Sequence, residues 1–444
     1  MHEVQDKRRA RVLKRLAASL AGLILLAVFI AGSINAVAKS RYADFNWYYY
    51  AGDYVLSAKN IYHYVLDGYM YPPFFAVFMI PLSAIPRTWA AAVWYAGNLF
   101  SLLVLFATCG YLVEGSAGGV WSWVKGKWRA FRAGEWDLVV VATFAITAGF
   151  WALNLQLGQI NIYLWALTML AVYCDARDRP ARAGILMGVV CTIKFSPALL
   201  LVYFIFRKRF SVVAYAALTM VVLFAVPAVV TGWHRNAELL VSWYQRVVRP
   251  ALKENFIYGV EANQSLGAFI FSYCKSFGWC DPAREVGVKA VKPFINAVTL
   301  GAFAIIFLLQ YVRRRAVKLF RPVPGPSLAD NLNLSLIIMC SVMLSPFAWD
   351  AHYVAAVMPF MTSVYAVKHM RRGGFKTVCM VLLVLSAFCG IITNNAWGPE
   401  VAAWTYHLKG VALSGTFLCL ALVLMLAKYA VVEGPGGRGG VPRR

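Results

Sequence analysis

The feature that most constrains this chain is a series of long apolar runs that contain no charge. Leu16 to Val37 holds 22 consecutive uncharged residues. Further uncharged runs cover Thr88 to Val113, Leu138 to Cys174, Phe210 to Trp233, Pro293 to Val312, Asn331 to Trp349, Tyr353 to Val367, Thr377 to Pro399 and Gly410 to Ala427. At about 1.5 Å of rise per residue, helices of this length cross the roughly 30 Å of hydrocarbon in a bilayer. Backbone polar groups in hydrocarbon must be satisfied within the segment, so runs of this kind fold as helices. The expected fold class is an all-α polytopic membrane protein. A content of 61% hydrophobic and 14% charged residues agrees with that class and leaves no room for a large soluble domain.

The order of runs and basic clusters predicts a topology. Lys7, Arg8, Arg9, Arg11, Lys14 and Arg15 precede the first run, which is longer than a signal-peptide core and so reads as a span that starts in the cytoplasm. Leu138 to Cys174 is too long for one pass, and LNLQLGQIN at its middle, with Gly158, predicts a tight helical hairpin. The short pair Ala183 to Ile193 and Phe195 to Phe206 is broken by Lys194 and Pro197. It is flanked by Arg177, Arg179 and Arg182 on one side and Arg207, Lys208 and Arg209 on the other, so it is expected to enter and return. Counting that pair as two passes gives twelve spans with both termini inside, provided that Pro72 to Pro86 is an interfacial or re-entrant helix. The termini and the connections containing 114–137, 175–182, 207–209, 313–330 and 368–376 then hold 29 of the 43 Lys and Arg but 9 of the 19 Asp and Glu, the asymmetry expected of cytoplasmic loops. The net charge of +24 is therefore read as topology, and nucleic acid is not expected as a partner. The chain divides into a basic cytoplasmic N-terminus (1–15), one membrane domain (16–430) with outer loops at 38–87 and 234–292, and a disordered Gly- and Pro-rich cytoplasmic tail (431–444).

On this topology Asp44, the GQIN turn, Lys194, the segment Glu261 to Gln264 and the Asp350/His352 turn reach one face of the membrane, the extracytoplasmic one. Ionisable groups at membrane depth are costly and mark substrate paths, so the convergence is a candidate site. Asp44 lies in ADFNWYYYAGDYVL, just past the first span. A lone carboxylate there can take a proton from a hydroxyl, while a nearby lysine and histidine can neutralise a phosphate leaving group. Equally, Asp44 can pair with Arg41 or cap a juxtamembrane helix, Lys194 can snorkel, His352 can bond its own turn, and Gln159 and Asn161 can satisfy the hairpin backbone. The aromatics of 47–50 read as an interfacial belt that is compatible with stacking on a sugar. Asp53 and Asp67 share the same loop as further carboxylates. No phosphate-binding glycine loop, HExxH, GxSxG or metal-ligating Cys/His spacing is present, so no nucleotide, metal or other cofactor is expected. Seven of the nine cysteines lie in or beside apolar runs as fillers, and Cys274 and Cys280 share an outer loop, either paired or free.

DFNWYYYAG, NIY, YPPFF, GQIN, KFSPALL, NQSL and SPFAWDAHYV occur in this order between Asp44 and Val354. The series resembles glycosyltransferase family 87, membrane enzymes of the GT-C class that use polyprenyl-phosphate-mannose. The resemblance implies a GT-C-like bundle of about 12 transmembrane helices with interfacial helices on the outer face. It also implies an inverting transfer of a sugar from a polyprenyl-phosphate donor to a hydroxyl of a glycolipid or glycan acceptor, in a bacterial-type plasma membrane and on its extracytoplasmic side. By carry-over, Asp44 is the base, Lys194 and His352 face the donor phosphate, and Gln159, Asn161, Asn263, Gln264 and Tyr49 line the pocket. The chain departs from its relatives at Ala351, where many have a second histidine, and at Ala58 and Lys59, where glycine is common. A rival of another class is a transporter or flippase of a polyprenyl-linked sugar. Such a protein calls for matching broken helices in two halves, and this chain has one broken pair.

Overall fold

The computed structural model describes residues 43–64, 69–250, 262–278, short pieces between 293 and 304, 328–393 and 398–432. The expected first span, most of the run from Pro293 to Val312, Asp67, Cys280 and the terminal segments, apart from residues 431 and 432, lie outside these residues. Every regular element among the described residues is a helix, as the apolar runs predict.

Five helical stretches are long and apolar enough to cross a bilayer unaided: Arg87–Glu114, Leu138–Leu157, Phe210–Thr231, Gly374–Ile392 and Gly410–Lys428. Their outer faces carry bare apolar side chains, with Val221 at 68%, Val229 at 88% and Val384 at 66% exposure. A soluble protein does not present such a surface, whereas a bilayer solvates it. Other helices are shorter than their apolar runs. Leu328–Met343, for example, stops where the SPFAWD stretch leaves the helix as a loop.

The long run from Leu138 folds as the expected hairpin of Leu138–Leu157 and Asn161–Ala176. Asp137 caps the first helix by accepting from the Val139 amide at 2.8 Å. Gly158 ends it with φ of 65°, a left-handed conformation that glycine adopts without a Cβ penalty. The broken pair Pro180–Ile193 and Leu199–Phe206 also enters and returns. Arg209 reaches both Asp175 and Asp178 at 3.1 Å, and Arg207 reaches Asp330 at 3.2 Å, so both ends of the pair lie at the level of residue 175. Lys194 is thereby left at the apex. The first arm packs tightly on Phe210–Ala225 because Gly184 and Gly188 face it. A Cβ on Gly184 would come within 2.4 Å of Tyr215 Cβ, and one on Gly188 within 2.5 Å of Thr219 Cβ.

In the first described segment, Ala43–Leu56 lies on Pro73–Ser83, a helix of 11 residues, about 16 Å long and too short to cross. Ser83 Oγ donates to the Tyr49 carbonyl at 2.6 Å, and the Tyr48 and Tyr71 hydroxyls meet at 3.0 Å. The aromatic run is largely core here. Phe45 and Tyr48, three positions apart on one helical face, are buried against Trp94, with ring centroids 5.8 and 5.7 Å from it.

Candidate active site

Four segments bring polar side chains together at one end of the helices. Ala43–Leu56 presents Asp44 in its first turn. The hairpin turn supplies Gln159 and Asn161, which Gly158 orients, and Trp94 Nε1 pins that turn by donating to the Gly158 carbonyl at 2.8 Å. The apex of the broken pair supplies Lys194, whose extended backbone (φ −146°, ψ 130°) ends Pro180–Ile193. The short 3-10 turn Asp350–Ala356 supplies His352.

The first three segments form one hydrogen-bonded relay. Gln159 Nε2 donates to the Asp44 carboxylate, Asn161 Nδ2 donates to Gln159 Oε1, and Lys194 Nζ donates to Asn161 Oδ1 at 2.8 Å. A cleft opens beside the relay, lined by Asn161, Trp165, Lys194, Ser196, Ser345, Phe347 and His352. His352 Nδ1 accepts from the Trp349 amide at 2.7 Å, so a neutral ring carries its proton on Nε2. Burial pushes the Asp44 carboxyl above its usual range, against the pull of the Gln159 hydrogen bond and the Lys194 charge. Burial also lowers the Lys194 ammonium to about 7, with Asp44 opposing. His352 is held well below its usual range by burial and then by Lys194, which keeps it neutral. The site thus joins a buried carboxylate, a titratable amine and a neutral imidazole N–H. This set can accept a proton at one end and neutralise an anion at the other.

Asn263 and Gln264 are placed differently. Asn263 clamps the 346–348 loop: its Nδ2 donates to the Pro346 carbonyl at 2.9 Å, and its Oδ1 accepts from the Ala348 amide at 3.1 Å. Gln264 donates its amide to the Ala348 carbonyl at 2.6 Å, and its buried side-chain amide has no partner among the described residues. Tyr49 is not joined to the relay, since its hydroxyl donates to the Ile85 carbonyl at 3.0 Å. Asp53 is exposed, about 13 Å further along its helix than Asp44.

Several links between these segments are not apparent from sequence. The Ala351 carbonyl accepts from Asn154 Nδ2 at 2.5 Å and from Asn161 Nδ2 at 3.4 Å, which ties the His352 turn to the hairpin. Asp350 is buried, and Tyr406 donates its hydroxyl to it at 2.5 Å, linking that turn to Pro399–His407. The SP pairs in KFSPALL and LSPFAWD were the available signal for Ser196 and Ser345 as cleft residues.

Residues 69–323 match the sequence profile of glycosyltransferase family 87. That stretch contains Gln159, Asn161, Lys194, Asn263 and Gln264, while Asp44, Tyr49 and His352 lie outside it. A polyprenol-phosphate-mannose-dependent alpha-(1-2)-phosphatidylinositol mannoside mannosyltransferase of Mycolicibacterium smegmatis is 23% identical over 313 residues, 68% of this chain and 63% of that protein. The match therefore spans less than two thirds of that relative. The protein of the same description from Mycobacterium tuberculosis is 28% identical over 373 residues, 80% of this chain and 75% of its own. A phosphatidylinositol pentamannoside mannosyltransferase of M. smegmatis is 26% identical over 359 residues, 78% of this chain and 75% of its own. No solved structure matches the chain.

Proposed function

Because the chain belongs to glycosyltransferase family 87, we propose that it is a membrane mannosyltransferase that moves mannose from a polyprenyl-phosphate donor to a hydroxyl of a glycolipid or glycan acceptor. The relatives' descriptions supply the donor, and their phosphatidylinositol mannosides are the first acceptors to test. The observation that carries the reading is the relay from Asp44 through Gln159 and Asn161 to Lys194, with His352 lining the cleft.

In this reading the acceptor oxygen attacks the anomeric carbon while Asp44 takes its proton. The bond from that carbon to the phosphate oxygen breaks with inversion, and polyprenyl phosphate leaves with the bonding pair. Lys194 and the His352 Nε2–H neutralise the charge that builds on the leaving phosphate. Gln159 and Asn161 hold base and amine in fixed relation, and Asn263 keeps the 346–348 loop in place. The basic turns around Arg177 to Arg182 and Arg207 to Arg209 lie at the opposite end from the relay. With the positive-inside rule, this arrangement supports a site on the extracytoplasmic face.

The test uses membranes containing the protein, radiolabelled polyprenyl-phosphate-mannose and a lipid extract that includes phosphatidylinositol mannosides. Label is expected in a more polar glycolipid. Donor that crosses the bilayer unconsumed would instead favour the flippase reading, and donor neither consumed nor moved would remove the mannose assignment.

A further inference from the structure

The helix Gly119–Arg132 plays no part in the site. It joins Arg87–Glu114 to Leu138–Leu157, and the 20 residues of the latter, about 30 Å, separate it from Gln159. Its position is fixed by both spans. Trp123 is buried with its indole over Gly110, where an added Cβ would approach within 2.1 Å, and its Nε1 donates to Glu114 at 2.9 Å. Lys127, one turn on, bridges Glu114 at the end of one span and Asp137 at the start of the next.

Among the described residues, no other element covers the rest of the helix surface. Trp121 and Trp128, two turns apart on one face, are 67% and 60% exposed. Lys125 lies over the Trp121 ring at 5.3 Å, and Phe131 extends the strip by stacking on Trp128 and meeting Trp136 edge-on. Lys125, Arg129 and Arg132, all exposed, form a basic strip beside the aromatic one. An aromatic strip flanked by cations on a helix tethered at both ends to spans suits the boundary between acyl chains and anionic headgroups.

We propose that Gly119–Arg132 lies in the plane of the membrane and binds anionic lipid headgroups of the leaflet opposite the candidate site. Trp121 and Trp128 enter the interface, and Lys125, Arg129 and Arg132 contact the phosphates. The occupant is a lipid surface because the helix is continuous with two lipid-facing spans and its free charge is positive.

The test is hydrogen–deuterium exchange of the full-length protein in nanodiscs of phosphatidylcholine alone or mixed with phosphatidylglycerol. Amides of 119–132 are expected to exchange several-fold more slowly in the anionic discs. That difference should vanish in the triple variant Lys125→Gln, Arg129→Gln, Arg132→Gln, with Leu138–Leu157 unchanged as the folding control. Equal wild-type exchange in the two lipids overturns the proposal by itself, and equal protection of wild type and triple variant in anionic discs does so as well.

Discussion

Asp44 and Lys194 sit at the two ends of one relay, so their protonation states should appear together in the kinetics. A base works ionised, and burial raises the Asp44 pKa, so kcat/KM should climb with pH through an acid limb above the roughly 3.9 of an ordinary aspartate. Lys194, lowered to about 7, loses its charge as pH rises past that value, which produces a falling limb there. Gln159→Leu removes the hydrogen bond that holds the Asp44 pKa down and is expected to shift the acid limb further up. A structural role alone would leave that limb in place. Lys194→Met is expected to lower kcat by about 10²–10³-fold, the scale of one lost donor to a developing anion. Steady-state rates across pH with labelled donor check each of these. A Lys194→Met enzyme with unchanged kcat would remove the phosphate role.

The broken pair is the element on which the amine depends, and its seat is made by Gly184 and Gly188. Gly188→Val drives a branched side chain into Thr219 and the Ala216 carbonyl, with an expected loss of about 1–3 kcal/mol from overpacking. Thermal unfolding in detergent reads this, and activity should fall with stability because Lys194 rides on the displaced arm. Asp350→Ala is expected to cost about 1–3 kcal/mol by stranding the Tyr406 hydroxyl and loosening the turn that carries His352. At this scale much was legible in the sequence. Gly158 marked the hairpin turn, and the arginines flanking residues 183–206 marked a segment that returns. The need for Gly184 and Gly188 was not legible, because only the neighbouring helix at Val212 to Thr219 explains why two small residues are required. The aromatics of 47–50 read as an interfacial belt because composition cannot show that Trp94 and Phe75 pack onto Tyr48.

For the whole molecule, sequence order together with charge asymmetry brought Asp44, the GQIN turn, Lys194 and the His352 turn to one end, and the helices join them there. The links between them were not legible. Asp44 and Gln159 are 115 positions apart, Asp350 and Tyr406 are 56 apart, and no local pattern marks either pair. The proposed orientation has its own test. Cysteine placed at exposed Lys59, near the site end, should react with an impermeant maleimide in intact cells, while cysteine at Arg132 should react only after lysis, each measured against the labelling of the parent chain. The reverse pattern would put the site in the cytoplasm.

The proposed transfer depends above all on Asp44 as base. Purified wild type and Asp44→Asn, matched for folding by thermal unfolding, are compared for turnover of labelled polyprenyl-phosphate-mannose and for binding of the same donor. The expected result is a fall in turnover of about 10²–10⁴-fold with donor binding retained. Equal turnover by the two proteins would contradict it and pass the proton to another group, with Asp53 and Asp67 the next carboxylates to replace.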